Sequence, residues 1–155
     1  MIKLIRAIRA DCQSILEMQI TCFKPLLDKY KDYYTSPANE MIEDIYRRFD
    51  QNNTEYYLIT FDNDVIGAVR VIVGDICRIS PIFIMPDYQG YGFAKETFEI
   101  LEKMFPVKKW TLDTIKQEER LCKLYESLGY KKTGKYAQIQ ENMTIVYYEK
   151  EIYDL

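Results

Sequence analysis

The chain predicts an α/β fold: a central mixed sheet of about seven strands, flanked by about four helices, in one domain over residues 1–155. Three observations carry this. Three strand-like runs succeed one another between Thr54 and Met85 with only short turns between them, the pattern of an antiparallel meander. From Ile76 onward strand and helix patterns alternate as β-α-β-α-β, which lays helices on the faces of a sheet. The length of 155 residues, with 48% hydrophobic, suits a single core that buries about two thirds of the unfolded surface.

Each element has its own signal. Ile2 to Ile8 alternates as a strand, with Ile2, Leu4 and Arg6 on one face. Asp11 is placed to cap a helix carrying Ile15, Leu16, Met18, Ile20 and Phe23. Pro25 is expected to bend or end it. Residues 28–39 are polar and rich in tyrosine, and Ser36-Pro37 reads as a second helix start ahead of Met41, Ile42, Ile45, Tyr46 and Phe49 at helical spacing. Strands follow at Thr54–Phe61, Val65–Val73 and Ile76–Met85, divided by turns at Asp62-Asn63-Asp64 and Gly74-Asp75. A helix over Phe93–Met104 precedes Pro106 and a strand at Val107–Thr114. A helix over about Gln117–Leu128 stops at Gly129. Strands at about Tyr130–Tyr136 and Met143–Ile152 complete the chain.

Composition removes several functional classes. A net charge of −3 leaves no footprint for nucleic acid. No run is long and apolar enough for a membrane span, and the N-terminus lacks the apolar stretch of a signal peptide. Cys12, Cys22, Cys77 and Cys122 are scattered, the pattern of free thiols in a cytoplasmic protein. There is no histidine. Ser-His-Asp and Cys-His catalysis are thereby excluded, and the usual nitrogen and sulfur ligands of a metal site are absent or dispersed, so no metal is expected. Chemistry falls to carboxylates, tyrosine, lysine, cysteine, main-chain amides or water.

The junction between Ile84 and Lys95 holds the strongest functional signal. A strand enters it, a helix leaves it, and Gln89-Gly90-Tyr91-Gly92-Phe93-Ala94 lies between. Glycines let the main chain approach a ligand closely, and the helix that follows offers free N–H groups and the positive end of its dipole. Such a junction binds phosphate. The nucleotide-binding string Gly-x-x-x-x-Gly-Lys-Ser/Thr does not occur, and the dinucleotide string fails because Lys95 stands where its third glycine belongs. Gln89-x-x-Gly92-x-Ala94 remains, beside the alternative of a glycine-rich turn with no ligand.

That string resembles the Gln/Arg-x-x-Gly-x-Gly/Ala pyrophosphate loop of the GNAT superfamily of N-acetyltransferases, which use acetyl-coenzyme A. Pro86-Asp87-Tyr88 is similar to the family's lead-in, and Leu124-Tyr125-Glu126-Ser127-Leu128-Gly129-Tyr130 resembles its Leu-Tyr-x-x-x-Gly-Phe segment, with Tyr130 for phenylalanine. The two motifs stand in the family's order and near its spacing, and the resemblance is specific over about residues 79–130.

The resemblance implies a set of roles. Main-chain amides of Gly90, Tyr91, Gly92, Phe93, Ala94 and Lys95 would receive the pyrophosphate, with Gln89 opening the loop. Lys95 would add a charged contact or stand as a solvated surface lysine. Ile82 and Ile84 would offer main-chain groups to the pantetheine arm and acetyl carbonyl, in a gap where the strands Ile76–Met85 and Val107–Thr114 splay apart. Tyr125 would donate to the departing thiolate, its phenol (pKa ~10) staying protonated beside a thiol (~8.5). The spacing also allows a core tyrosine, since Leu121, Leu124, Tyr125 and Leu128 share a helical face. Where the family often has asparagine this chain has Glu118 and Glu119, so Gln117 takes that role or the role is lost. The base that deprotonates the amine is left open among Glu55, Asp75, Asp113 and water. The expected acceptor is a primary amine of a small molecule or peptide, entering between residues 24–40 and the turn at 137–142. Tyr30, Tyr33, Tyr34 and Tyr46 are its nearest tyrosines in sequence, with packing roles as their alternative. A homodimer is compatible with this expectation. The alternative function is a non-catalytic coenzyme A binding or sensing module on the same fold.

Overall fold

The computed structural model describes residues 1–153. Its seven strands are β1 (Ile2–Arg6), β2 (Thr54–Phe61), β3 (Asp64–Ile72), β4 (Ile76–Ile84), β5 (Lys109–Ile115), β6 (Lys131–Gln140) and β7 (Met143–Glu151). They form one sheet in the order β1-β2-β3-β4-β5-β7-β6. The four helices are α1 (Cys12–Tyr30), α2 (Ile42–Phe49), α3 (Phe93–Met104) and α4 (Glu119–Ser127). No helix among the described residues is long and apolar enough to cross a membrane.

Strand alternation divides the core into two layers. On one face Ala68 and Phe83 pack with Ile15 and Leu16 of α1 and Ile45 of α2. On the other, Val69, Val71 and Ile79 pack with Phe98 and Leu101 of α3 and Tyr125 of α4. Trp110 of β5 is fully buried in that second layer.

The pairing of β4 with β5 positions the site. It is the parallel contact of the sheet and it covers only Ile76↔Lys109, Cys77↔Trp110 and Arg78↔Thr111. Beyond these three pairs the strands part toward their carboxyl ends. β4 remains paired with β3 through Gly67↔Ile84, and β5 with β7 through Ile115↔Ile145. The splay expected from the family resemblance is therefore present.

Several local expectations are corrected. Helix α1 runs through Pro25 to Tyr30, ending only at the left-handed Lys31. Tertiary contact overrides the proline: Tyr30 is buried against Ile115 and Met143, and its hydroxyl donates to Glu118 Oε2 at 2.5 Å. Asp11 stands at the start of α1, but its carboxylate accepts from Ile8 N (2.8 Å) and closes a short 3-10 turn instead. Ser36 does cap a turn, through Ala38 N (3.1 Å), but that turn is Pro37–Asn39 and α2 begins separately at Ile42. The turn expected at 137–142 contracts because β6 extends to Gln140.

Candidate active site

The loop after β4 is shaped by two glycines. Gly90 and Gly92 have φ of 86° and 81°, a left-handed backbone that L side chains rarely adopt. A Cβ built on either meets no atom within 4 Å, so their faces are open. Gly92 is the N-cap residue of α3, and the first α3-side N–H to find a carbonyl one turn back is that of Glu96, to Gly92 O (3.1 Å). The earlier N–H groups lead the dipole of a twelve-residue helix. Gln89 folds back and donates from Nε2 to the carbonyl of Ile84 (2.8 Å), tying the loop to the strand end. Tyr91 is exposed and stacks on Phe93, which packs on Phe61 of β2. Ala94 is half-buried and Lys95 exposed. The open glycine faces and free helix N-terminus fit a pyrophosphate.

A cavity of about 420 Å³ lies where β4 and β5 part, lined by Ile79–Ile82 and Leu112–Ile115. Residues of the α1–α2 connection close one side, and Ile139, Met143 and Ile145 of β6 and β7 the other. Ile82 and Tyr125 are brought together here. Ile84 lies further along β4, and its carbonyl is already engaged by Gln89 and by Cys22 Sγ (3.4 Å). Residues 89–95 do not line the cavity; they lie at the loop that follows the carboxyl end of β4.

Tyr125 is fixed by how α4 ends. Gly129 (φ 98°) follows the helix, Gly129 N donates to Glu126 O and Tyr130 N to Tyr125 O, both at 3.1 Å. This is a Schellman closure, and its usual apolar contact is present as an edge-to-face meeting of Tyr125 and Tyr130 (6.4 Å). Phe98 packs against the same ring at 6.0 Å. The hydroxyl of Tyr125 makes no hydrogen bond to the described residues, although the residue lines the cavity. Burial pushes its pKa up to about 12, with the charge of Asp113 adding to the effect.

The carboxylate candidates separate. Glu55 pairs with Arg6 (2.9 Å) and accepts from Tyr57 on β2, outside the cavity. Asp75 is exposed in the β3–β4 turn, also outside it. Asp113 does line the cavity, and the guanidinium of Arg78 holds it. Gln117 is committed within the protein: its Oε1 accepts from Thr144 N (3.0 Å), linking the β5–α4 connection to β7. None of Tyr30, Tyr33, Tyr34 and Tyr46 lines the cavity. Tyr46 lies under the guanidinium of Arg9 (4.3 Å), and Tyr33 and Tyr34 point to solvent.

The sequence reading missed four charged residues of the cavity wall, Asp32, Glu40, Arg48 and Arg70. Asp32 and Arg70 are each only 8% exposed. Asp32 accepts from Thr35 Oγ1 (2.8 Å) and has no cationic partner among the described residues. A charged residue inside an otherwise apolar strand, as Arg70 is between Val69 and Val71, was the one available signal. Among the described residues no three metal-ligating side chains converge.

Comparison with known proteins accords with this geometry. Three solved structures share the fold over nearly the whole chain. Spermidine N-acetyltransferase from Vibrio cholerae, in complex with CoA and spermine, aligns with TM-score 0.73 and 18% identity over 97% of this chain and 95% of its own. The ribosomal-protein-S18-alanine N-acetyltransferase of Escherichia coli aligns with TM-score 0.72 and 16% identity, covering 98% and 94%. PaiA N-acetyltransferase from Thermoplasma acidophilum, in complex with coenzyme A, gives 0.68 and 14%, covering 98% and 99%. No curated protein matches the sequence. The family model for the acetyltransferase (GNAT) domain matches residues 27–152, spanning the loop, the splayed strands and Tyr125, and the chain therefore belongs to the GNAT acetyltransferase family.

Proposed function

We propose that the protein moves an acetyl group from acetyl-coenzyme A to a primary amine of a small molecule or peptide, with the residues described above in specific roles. One observation carries this reading: β4 and β5 part at the end where the α3 loop emerges, and Tyr125 lines the cavity between them. The family match to residues 27–152 supports acyl transfer, and the CoA-bound neighbours support the co-substrate.

The N–H groups of Gly90 to Lys95 hold the pyrophosphate. The gap between the strands takes the pantetheine arm, and Ile82, which lines the cavity as Ile84 does not, meets the acetyl-bearing end. The amine, with a pKa of ~10.4 when lysine-like, must lose a proton before it attacks. Asp32 is the cavity carboxylate without a cationic partner, and we place proton removal there, directly or through water. Attack forms the carbon–nitrogen bond, and collapse releases the coenzyme thiolate. Tyr125 donates its hydroxyl hydrogen bond to that sulfur. The non-catalytic alternative is disfavoured by a cavity beside Tyr125 with room for an acceptor. A cytoplasmic setting is supported by the four free thiols.

Calorimetric titration with acetyl-coenzyme A, followed by thiol-release assays across amines, polyamines, amino acids and peptides, tests the proposal. Coenzyme binding with turnover of at least one amine is expected. Binding without thiol release on any acceptor would return the protein to the sensing module.

A further inference from the structure

We infer that the acceptor carries a carboxylate as well as its amine, and that Arg70 reads the carboxylate. The inference rests on the acetyltransferase reading and concerns the same cavity. Five charged side chains line it: Asp32, Glu40, Arg48, Arg70 and Asp113. Glu40 is gripped by both terminal nitrogens of Arg48 and also accepts from Gln19 Nε2 (2.6 Å). Asp113 is gripped by Arg78. Two charges of opposite sign remain, Asp32 and Arg70, and they form no ion pair with each other.

Arg70 stands across from Tyr56 in the β2–β3 register, so its side chain lies on the α1–α2 face. Its Nε–H donates to the carbonyl of Ser80. The two terminal nitrogens of the fork make no hydrogen bond or ion pair with any described residue. Burial lowers its pKa; the neighbouring Arg48 and Arg78 add to this, while Tyr56 and Glu40 offset it in part. A buried cation whose terminal nitrogens have no direct partner is costly unless something compensates it. Support of the Ser80 carbonyl needs one neutral donor and no charge. A carboxylate is the group that fits what is left, since the two free nitrogens present parallel donors to its two oxygens.

Asp32 supplies the complementary end, an acceptor for an ammonium. The cavity therefore offers one anion and one cation to a single small molecule. A polycation would leave Arg70 uncompensated and add repulsion. The acceptor is then an amino acid or another small aminocarboxylate, and not a polyamine.

The test uses matched acceptors with the intact protein: β-alanine against β-alaninamide, 4-aminobutyrate against 4-aminobutyramide, and spermidine, with rates expressed per unprotonated amine. In wild type the acids should exceed their amides in kcat/KM by about 10²-fold or more, because the amide leaves a buried charge unpaired. Spermidine should fall below the acids. In Arg70→Gln, which keeps a donor for Ser80, the acid-to-amide ratio should collapse to within about threefold, since the interaction that separates the pair is gone. Arg70→Lys keeps the charge without the fork and should give an intermediate ratio. Acetyl-coenzyme A affinity should be unchanged in both. A wild type that prefers amides or spermidine, or an Arg70→Gln variant that keeps the acid preference, overturns the inference. Should Arg70→Gln fail to fold, the wild-type ratio and Arg70→Lys decide it. A wild type that does not bind acetyl-coenzyme A refutes the acetyltransferase reading instead.

Discussion

Replacing Tyr125 by Phe should separate catalysis from stability. The substitution keeps the ring against Phe98 and Tyr130 and removes a hydroxyl that bonds to none of the described residues. No partner is orphaned, so stability should stay within about 1 kcal/mol of wild type. Activity should not. A phenol at about 12 is protonated at neutral pH and always able to donate. Complete transfer to a thiolate of pKa ~8.5 is uphill by about 3.5 units, or roughly 4.8 kcal/mol at 1.36 kcal/mol per unit. The hydroxyl therefore serves mainly as a hydrogen-bond donor as charge builds on sulfur, and the proton arrives finally from the protonated nitrogen of the tetrahedral intermediate or from water. Removing such help should lower single-turnover chemistry by about 10²-fold, the lower end of general-acid effects. Coenzyme affinity should be unchanged, because the contact strengthens only as the thiolate departs. The assay is rapid-quench acetyl transfer with a proven acceptor, beside chemical denaturation of both proteins. Equal single-turnover rates would refute the reasoning and leave Tyr125 a core residue. A large loss of stability would show instead that the hydroxyl has a structural partner.

Three further outcomes are expected. Gly92→Leu places a side chain in a left-handed conformation at φ 81°, costing about 1–2 kcal/mol, and covers the open face before α3; acetyl-coenzyme A affinity measured by calorimetry should fall at least tenfold in a folded variant. Asp32→Asn keeps an acceptor for Thr35 and removes the base; kcat/KM should fall by about 10²-fold near neutral pH and recover in part at higher pH as free amine accumulates, and an unchanged pH–rate profile would exclude Asp32. The third outcome concerns alkaline stability. Tyr125 has its folded pKa raised above the unfolded ~10, so its neutral form is favoured in the fold and stability is lost as pH rises from about 10 to about 12. Two units correspond to about 2.7 kcal/mol in full only above pH 12, so in denaturation Tyr125→Phe should retain about 1.4 kcal/mol at pH 11 and more at pH 12.

Much of the fold was legible because it rests on local signals. The spans Thr54–Phe61 and Phe93–Met104 agree with the structure to the residue, each bounded by turn or glycine chemistry. Gly129 ended α4 as read, since a left-handed closing residue is a local demand. Pro25 did not end α1, because the contacts that hold Tyr30, with Glu118 and Ile115, come from residues some ninety positions away. The site divides in the same way. The loop and Tyr125 sit in short motifs, whereas Asp32 and Arg70 acquire meaning only when α1, β3 and β4 converge on one cavity. Glu55 and Asp75 were credible as bare carboxylates, and only the fold carries them away from it, Glu55 through the β2–β3 register and Asp75 through the turn between β3 and β4.

The three residue pairs between β4 and β5 are the only ladder joining the β1–β4 half of the described sheet to the β5–β7 half. Beyond Arg78 and Thr111 each strand turns one row of main-chain groups toward the other with no strand between. A pantetheine arm bears amides of its own, and if it lies there as proposed it would act as an extra strand that mortars the halves together. Occupancy then becomes part of the fold's cohesion. At a ligand concentration of a hundred times Kd, linkage adds about 2.7 kcal/mol to the unfolding free energy. Amide hydrogen exchange should register it first along 79–84 and 112–115, the seam through which the empty protein would breathe.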